Sequence, residues 1–135
     1  MEKALIDIRD YEHLVGMPYK RKCYDGSGFD CWSLVYHIYQ MNNIEVPKVI
    51  LDGWSIRGHH REIEKQRVAW KEVRYEDRGF LDVLLFHTSY RLNTHVGVVL
   101  NSCYFIHAHQ DTGVVIEQFS YGLSSALINK VYRCQ

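Results

Sequence analysis

"GFDCWSLVYHIY", residues 28–39, sets a cysteine directly after an aspartate at the mouth of an apolar helix. From Cys31 onward, Leu34, Val35, Ile38 and Met41 recur at helical spacing. Asp30 has the chemistry of an N-cap. A cysteine at this position lies among unpaired backbone N–H groups and at the positive end of the helix dipole, which favour thiolate over thiol. The same N–H groups suit an oxyanion. The stretch therefore predicts a helix over residues 31–41 with a candidate nucleophile, Cys31, in its first turn.

Working outward, residues 9–15 form a second, short helix stopped by Gly16 and Pro18, and "KRKCYDGSG" (20–28) is a loop rich in turn residues. Residues 43–72 read mainly as loop, with "REIEKQ" helical. Beyond them the pattern changes to strands: "DVLLF" (82–86), "HVGVVL" (95–100), "YFIHA" (104–108), "VVIEQF" (114–119) and "KVYR" (130–133). Helices first and an antiparallel meander second predict an α+β fold, with the N-terminal helices packed on a central antiparallel β-sheet. At 135 residues, with no repeat or linker, the chain reads as a single domain, 1–135.

Composition narrows the function. Lys+Arg and Asp+Glu both total 16, so no basic stripe points to nucleic acid or a membrane surface. No apolar run approaches the roughly 18 residues of a membrane span, and the charged start "MEKALIDIRDYEHLVG" lacks a signal-peptide core. The expected place of synthesis is the cytoplasm. The four cysteines, Cys23, Cys31, Cys103 and Cys134, form no CxxC pair, so neither disulfides nor a zinc ribbon are demanded. Cys103 and Cys134 read as small buried residues. Cys23 lies close enough in sequence to Cys31 to pair with it under oxidation.

A thiolate nucleophile needs a base, and the base an orienter. His95 opens one predicted strand and His107 sits in the next. Their even separation sets both on one sheet face if they oppose each other in a hairpin centred on Asn101. A helix on that face would bring Cys31 to them. Zinc is the rival chemistry, with His95, His107, His109 and a cysteine as a tetrahedral set. His109 otherwise reads as an exposed strand end. His59 and His60 read as solvated, and His13, His37 and His87 have no companions in ligand spacing.

"GMPYKRKCYDGSGFDCWSLV", "FLDVLLF" and "HVGVVLNSCYFIHA" resemble the NlpC-type cell-wall peptidases, which are papain-like cysteine hydrolases. The family pattern is a tyrosine, a Gly-rich loop, Asp-Cys-Ser-Gly-Leu-Val, then Gly-Asp-Leu before a strand, and His-Val-Gly followed by Phe-Ile-His-Ala. The resemblance runs from about Gly16 to Val115. It implies Cys31 as nucleophile, His95 as base, His107 as orienting residue and Tyr19 as a hydroxyl near the nucleophile, with no cofactor or metal. Three places depart from the pattern: Trp32-Ser33 replaces Ser-Gly, Lys22-Cys23 replaces Gly-Gly, and Leu81 replaces the Gly before Asp82. They bear on the shape of the substrate groove.

The resemblance further implies hydrolysis of peptide stems in peptidoglycan, commonly between γ-D-glutamyl and a diamino acid. Trp32 after the cysteine resembles the small phage-tail branch of the family, which makes tail-tip proteins the expected partners and the virion, acting at the cell wall, the expected location. A holin or a secretion apparatus would be other routes to the wall. Candidate docking residues are Trp54, Ile56 and Trp70 in the 43–72 segment, and the C-terminal "YGLSSALINKVYRCQ". The alternative is a tail component of the same fold that no longer catalyses, although the complete set Cys31, His95 and His107 argues against it.

Overall fold

The computed structural model describes residues 8–46, 65, 70–87, 93–120 and 124–134. The expected helix is α1, Cys31–Met41. The first expected helix is a 3-10 segment, Ile8–Leu14, whose Tyr11 and Leu14 turn into the core. The strands are β1 (Trp70–Val73), β2 (Val83–His87), β3 (Asn93–Val99), β4 (Tyr104–His109), β5 (Gly113–Gln118) and β6 (Ile128–Cys134). They form one antiparallel sheet in the order β1-β6-β2-β3-β4-β5. This is the α+β architecture expected from the sequence, with one strand, β1, added at the edge and with β6 leaving the expected meander to pair with β2 instead of β5. Trp54, Ile56, His59, His60 and most of "REIEKQ" lie outside the described residues.

Apolar side chains cover both faces of the sheet. Val83, Leu85, Val96, Val98, Leu100, Ile106 and Ala108 meet Leu34, Val35 and Ile38 of α1 on one face. Leu84, Phe86, Val99, Phe105, Phe119 and Val131 form a second cluster on the other. Because successive strand residues alternate between faces, this double burial gives the strands their near-continuous apolar runs. No helix among the described residues is long and apolar enough to cross a membrane.

Trp32, in the first turn of α1, is buried, 6.2 Å between ring centroids from Trp70, which also lies 5.8 Å from Tyr39. Trp70, a candidate docking residue above, is thus occupied in fastening the edge strand to the helix. The Tyr39 hydroxyl donates to the carbonyl of Leu81. Asp82 is buried, and its carboxylate accepts from the Gly79 N–H at 2.8 Å and from Arg133 at 2.9 and 2.8 Å. A buried charge met by three donors is compensated, so Asp82 anchors the start of β2 to β6.

Candidate active site

Local chemistry fixes Cys31. Asp30 is the N-cap of α1: its Oδ1 accepts the Ser33 N–H at 2.8 Å, while the Ser33 hydroxyl accepts the Asp30 N–H at 2.9 Å. This reciprocal capping box satisfies two of the helix's orphan donors. The other oxygen, Oδ2, accepts the Lys22 N–H at 2.8 Å, so one carboxylate starts the helix and ties down the loop before it. The loop closes where Phe29 and Lys20 exchange backbone bonds with Pro18 and Phe29, at 2.9 and 3.1 Å. Gly28 is required there, because a Cβ would meet the Pro18 carbonyl at 2.8 Å. This closure bridges Tyr19 to Phe29 and brings Tyr19 within the electrostatic reach of Cys31.

Cys31 is buried at 3% exposure. The backbone amides of Val96, Trp32 and Cys31 itself favour the thiolate, as expected for a helix N-terminus, but they do not win. Burial, followed by the neighbouring Asp30 charge, pushes the thiol up to about 12. Contrary to the sequence expectation, Cys31 is a thiol at neutral pH in this conformation. Burial also raises the Tyr19 hydroxyl, with the Cys31 charge second.

The Val96 contact places Cys31 beside the start of β3, where His95 sits. His95 Nε2 lies 2.8 Å from His107 Nδ1. The two imidazoles share a face as expected, but in a different register. The paired residues of β3 and β4, Val98 with Ile106 and Val99 with Phe105, centre the hairpin on Ser102 rather than Asn101. Continued by one pair, this register sets Gly97, not His95, opposite His107. A Cβ on Gly97 would meet His107 Cβ at 3.1 Å and Phe86 Cε1 at 3.2 Å. Glycine thereby leaves room for His107 to lie stacked on Phe86, at 5.5 Å and 20°. His95 packs on the same ring at 5.0 Å.

The helix is on the other side. The imidazoles share the Phe86–Phe105 face, whereas α1 covers the Val96–Val98 face. Cys31 is not laid over the histidines as expected; it lies beside the backbone of β3 at Val96. Burial, then the neighbouring His107 and His109 rings, hold His95 well below the usual histidine range. Burial also lowers His107, opposed by its bond to Glu117. Both rings are neutral at pH 7, and a neutral imidazole can accept a proton.

The zinc set does not assemble among the described residues. The ring of His109 stands 6.4 Å from those of His95 and His107, and its Nδ1 accepts the Asp111 N–H at 3.1 Å. The four cysteines are free; Cys103 is exposed, contrary to expectation, and Cys134 is half-buried against the edge of the core. Cys23 lies 3.1 Å from Asp25 Oδ1. Two of the three departures from the resembled pattern, Lys22 (φ 57°) and Leu81 (φ 75°), occupy left-handed backbone. Glycine takes that conformation without strain, whereas other residues meet a cost of roughly 1–2 kcal/mol. The backbone shape survives the loss of the glycine.

One residue escapes the sequence reading. Glu117 Oε2 lies 2.6 Å from His107 Nε2, and the Ser124 hydroxyl donates to the same oxygen at 3.0 Å. A signal was present: in "VVIEQF", Glu117 falls between Val115 and Phe119, an acid on the alternation that faces an apolar cluster.

Residues 16–133 match the model of the NlpC/P60 family. No curated protein matches the chain. Solved structures share the fold. An NlpC/P60 family protein from Bacillus cereus is 20% identical with a TM-score of 0.71, over 96% of this chain and 39% of that one. A protein similar to a lipoprotein of the NLP/P60 family, from Staphylococcus aureus, is 22% identical with a TM-score of 0.66, over 98% and 41%. The chain thus spans about two fifths of these two relatives. The NlpC/p60 domain of the peptidoglycan hydrolase SagA is 20% identical with a TM-score of 0.60, over 96% of this chain and 97% of that domain.

Proposed function

The chain belongs to the NlpC/P60 family, and from that footing we propose that it is a cysteine peptidase hydrolysing peptide stems of bacterial peptidoglycan, at the bond between γ-D-glutamyl and a diamino acid. One observation carries the reading: the Val96 amide lies close enough to the Cys31 sulfur to favour its charged form, one residue from a His95 that is hydrogen-bonded to His107. The SagA domain, which shares the fold, is a peptidoglycan hydrolase by name.

The chemistry follows from the protonation states. Cys31 begins as a thiol, so attack requires transfer of its proton to neutral His95 as the sulfur bonds the carbonyl carbon. Backbone N–H groups at the helix start, with the Tyr19 hydroxyl, stabilise the tetrahedral oxyanion. As the C–N bond breaks, His95 returns the proton to the leaving amine. Water then hydrolyses the thioester and regenerates the thiol. His107 holds the base in place throughout.

Trp32, by its resemblance to the phage-tail branch, supports a setting at a tail tip. Fixing the domain to a particle docked on the cell would raise its effective concentration at an insoluble wall. Digestion of purified peptidoglycan, with mass analysis of the released muropeptides, tests the activity and identifies the bond. Co-purification with virions tests the setting. The enclosed Cys31 thiol is the one observation that favours a non-catalytic tail component, and the same digestion decides between the two.

A further inference from the structure

Glu117 lies on β5, where the register sets it opposite Phe105 and diagonal to His107. Its surroundings on this face are apolar, with Phe105 and Phe119 in the second cluster. A carboxylate in such a place is costly unless its oxygens find donors. Glu117 Oε2 has two, the Ser124 hydroxyl at 3.0 Å and His107 Nε2 at 2.6 Å. Ser124 already gives its proton to that oxygen, and an ionised carboxylate only accepts. The proton in the short contact therefore sits on His107 Nε2.

The consequence passes along the chain. Neutral His107 with its proton on Nε2 has a bare Nδ1. That atom is the one 2.8 Å from His95 Nε2. For a hydrogen bond to exist there, His95 must supply the proton from Nε2. Its own Nδ1 is then bare.

We infer that Glu117 is a positioning residue: through His107 it selects the tautomer of His95 whose Nδ1 is free to take the Cys31 proton. The inference rests on the reading of His95 as base, but the tautomers are measurable without catalysis. Ser124 in turn holds Glu117 in place.

Nitrogen NMR of histidine-labelled protein reads each ring directly. In the wild type, His95 and His107 should both carry their proton on Nε2. Glu117→Ala should shift His107 toward the Nδ1–H form, disturb His95, and lower kcat by about a hundredfold with little change in KM, since a wrong tautomer is costly in a catalytic histidine. Glu117→Gln, whose amide oxygen still accepts from Nε2–H, should keep the tautomers and lose less than about tenfold. Glu117→Met, which keeps bulk beside Phe105 and Phe119, reads the same loss should the alanine variant fail to fold. A wild-type His107 protonated on Nδ1, or unchanged tautomers in the alanine or methionine variant, overturns the inference. If the wild type cleaves no peptidoglycan, the proposed function falls while the tautomer measurement still decides the role of Glu117.

Discussion

His95 Nε2 and His107 Nδ1 meet at 2.8 Å although their strands set Gly97, not His95, opposite His107. The ring contact is diagonal, and it exists because position 97 has no side chain. Gly97→Ala should therefore damage the pair. A methyl group 3.1 Å from both His107 Cβ and the Ile106 carbonyl forces the strands apart. Overpacking of this kind costs typically 1–3 kcal/mol. Thermal unfolding should show that loss, and turnover should fall further than stability explains. A variant with wild-type Tm and turnover would mean that the close approach is irrelevant.

Cys31 should react slowly with alkylating agents in the free protein. Its thiol is pushed up to about 12 by burial, so the thiolate fraction grows about tenfold per pH unit from neutrality upward. Labelling of Cys31 should rise with pH without levelling off by pH 9, and exposed Cys103 should label first at pH 7. Mass mapping after brief exposure checks both. A plateau below pH 7 would instead reveal a stable thiolate, and with it a different resting state.

Acid should destabilise the fold through the histidine pair. His95 and His107 both have their ordinary value lowered by burial. The unfolded chain takes up these protons below about pH 6.5 while the folded chain does not, so stability is full above that pH and lost as pH falls. Melting temperature should decline below pH 6.5, and His95→Gln should flatten the decline. An unchanged slope in that variant would place the acid sensitivity elsewhere.

Tyr19→Phe keeps the ring and removes the hydroxyl that the loop closure brings toward Cys31. If that hydroxyl stabilises the oxyanion, kcat should drop roughly a hundred- to a thousandfold. Full turnover in the variant would reduce Tyr19 to a packing residue of the loop.

Cys31 and its helix were legible because local rules agree there. Asp30 caps, Ser33 completes the box, and the apolar residues recur at helical spacing. Sharing of a face by His95 and His107 was legible from even spacing alone. Which face was not, because Val96 and Val98 bury on one side and Phe105 and Val99 on the other, leaving no polar side to mark. The hairpin centre also escaped, since a shift of one residue in the centre preserves the parity. β1 was missed because "WKEV" is short and exposes its middle residues. Glu117 could be placed only once the β4–β5 register was known.

Every catalytic role assigned above depends on Cys31 as nucleophile. Release of stem peptides from purified peptidoglycan should be measured for the wild type and for Cys31→Ala, with melting temperature recorded for both. The prediction is release by the wild type and none by the variant, at closely similar melting temperatures. Equal release by a folded Cys31→Ala protein would exclude Cys31 as the nucleophile.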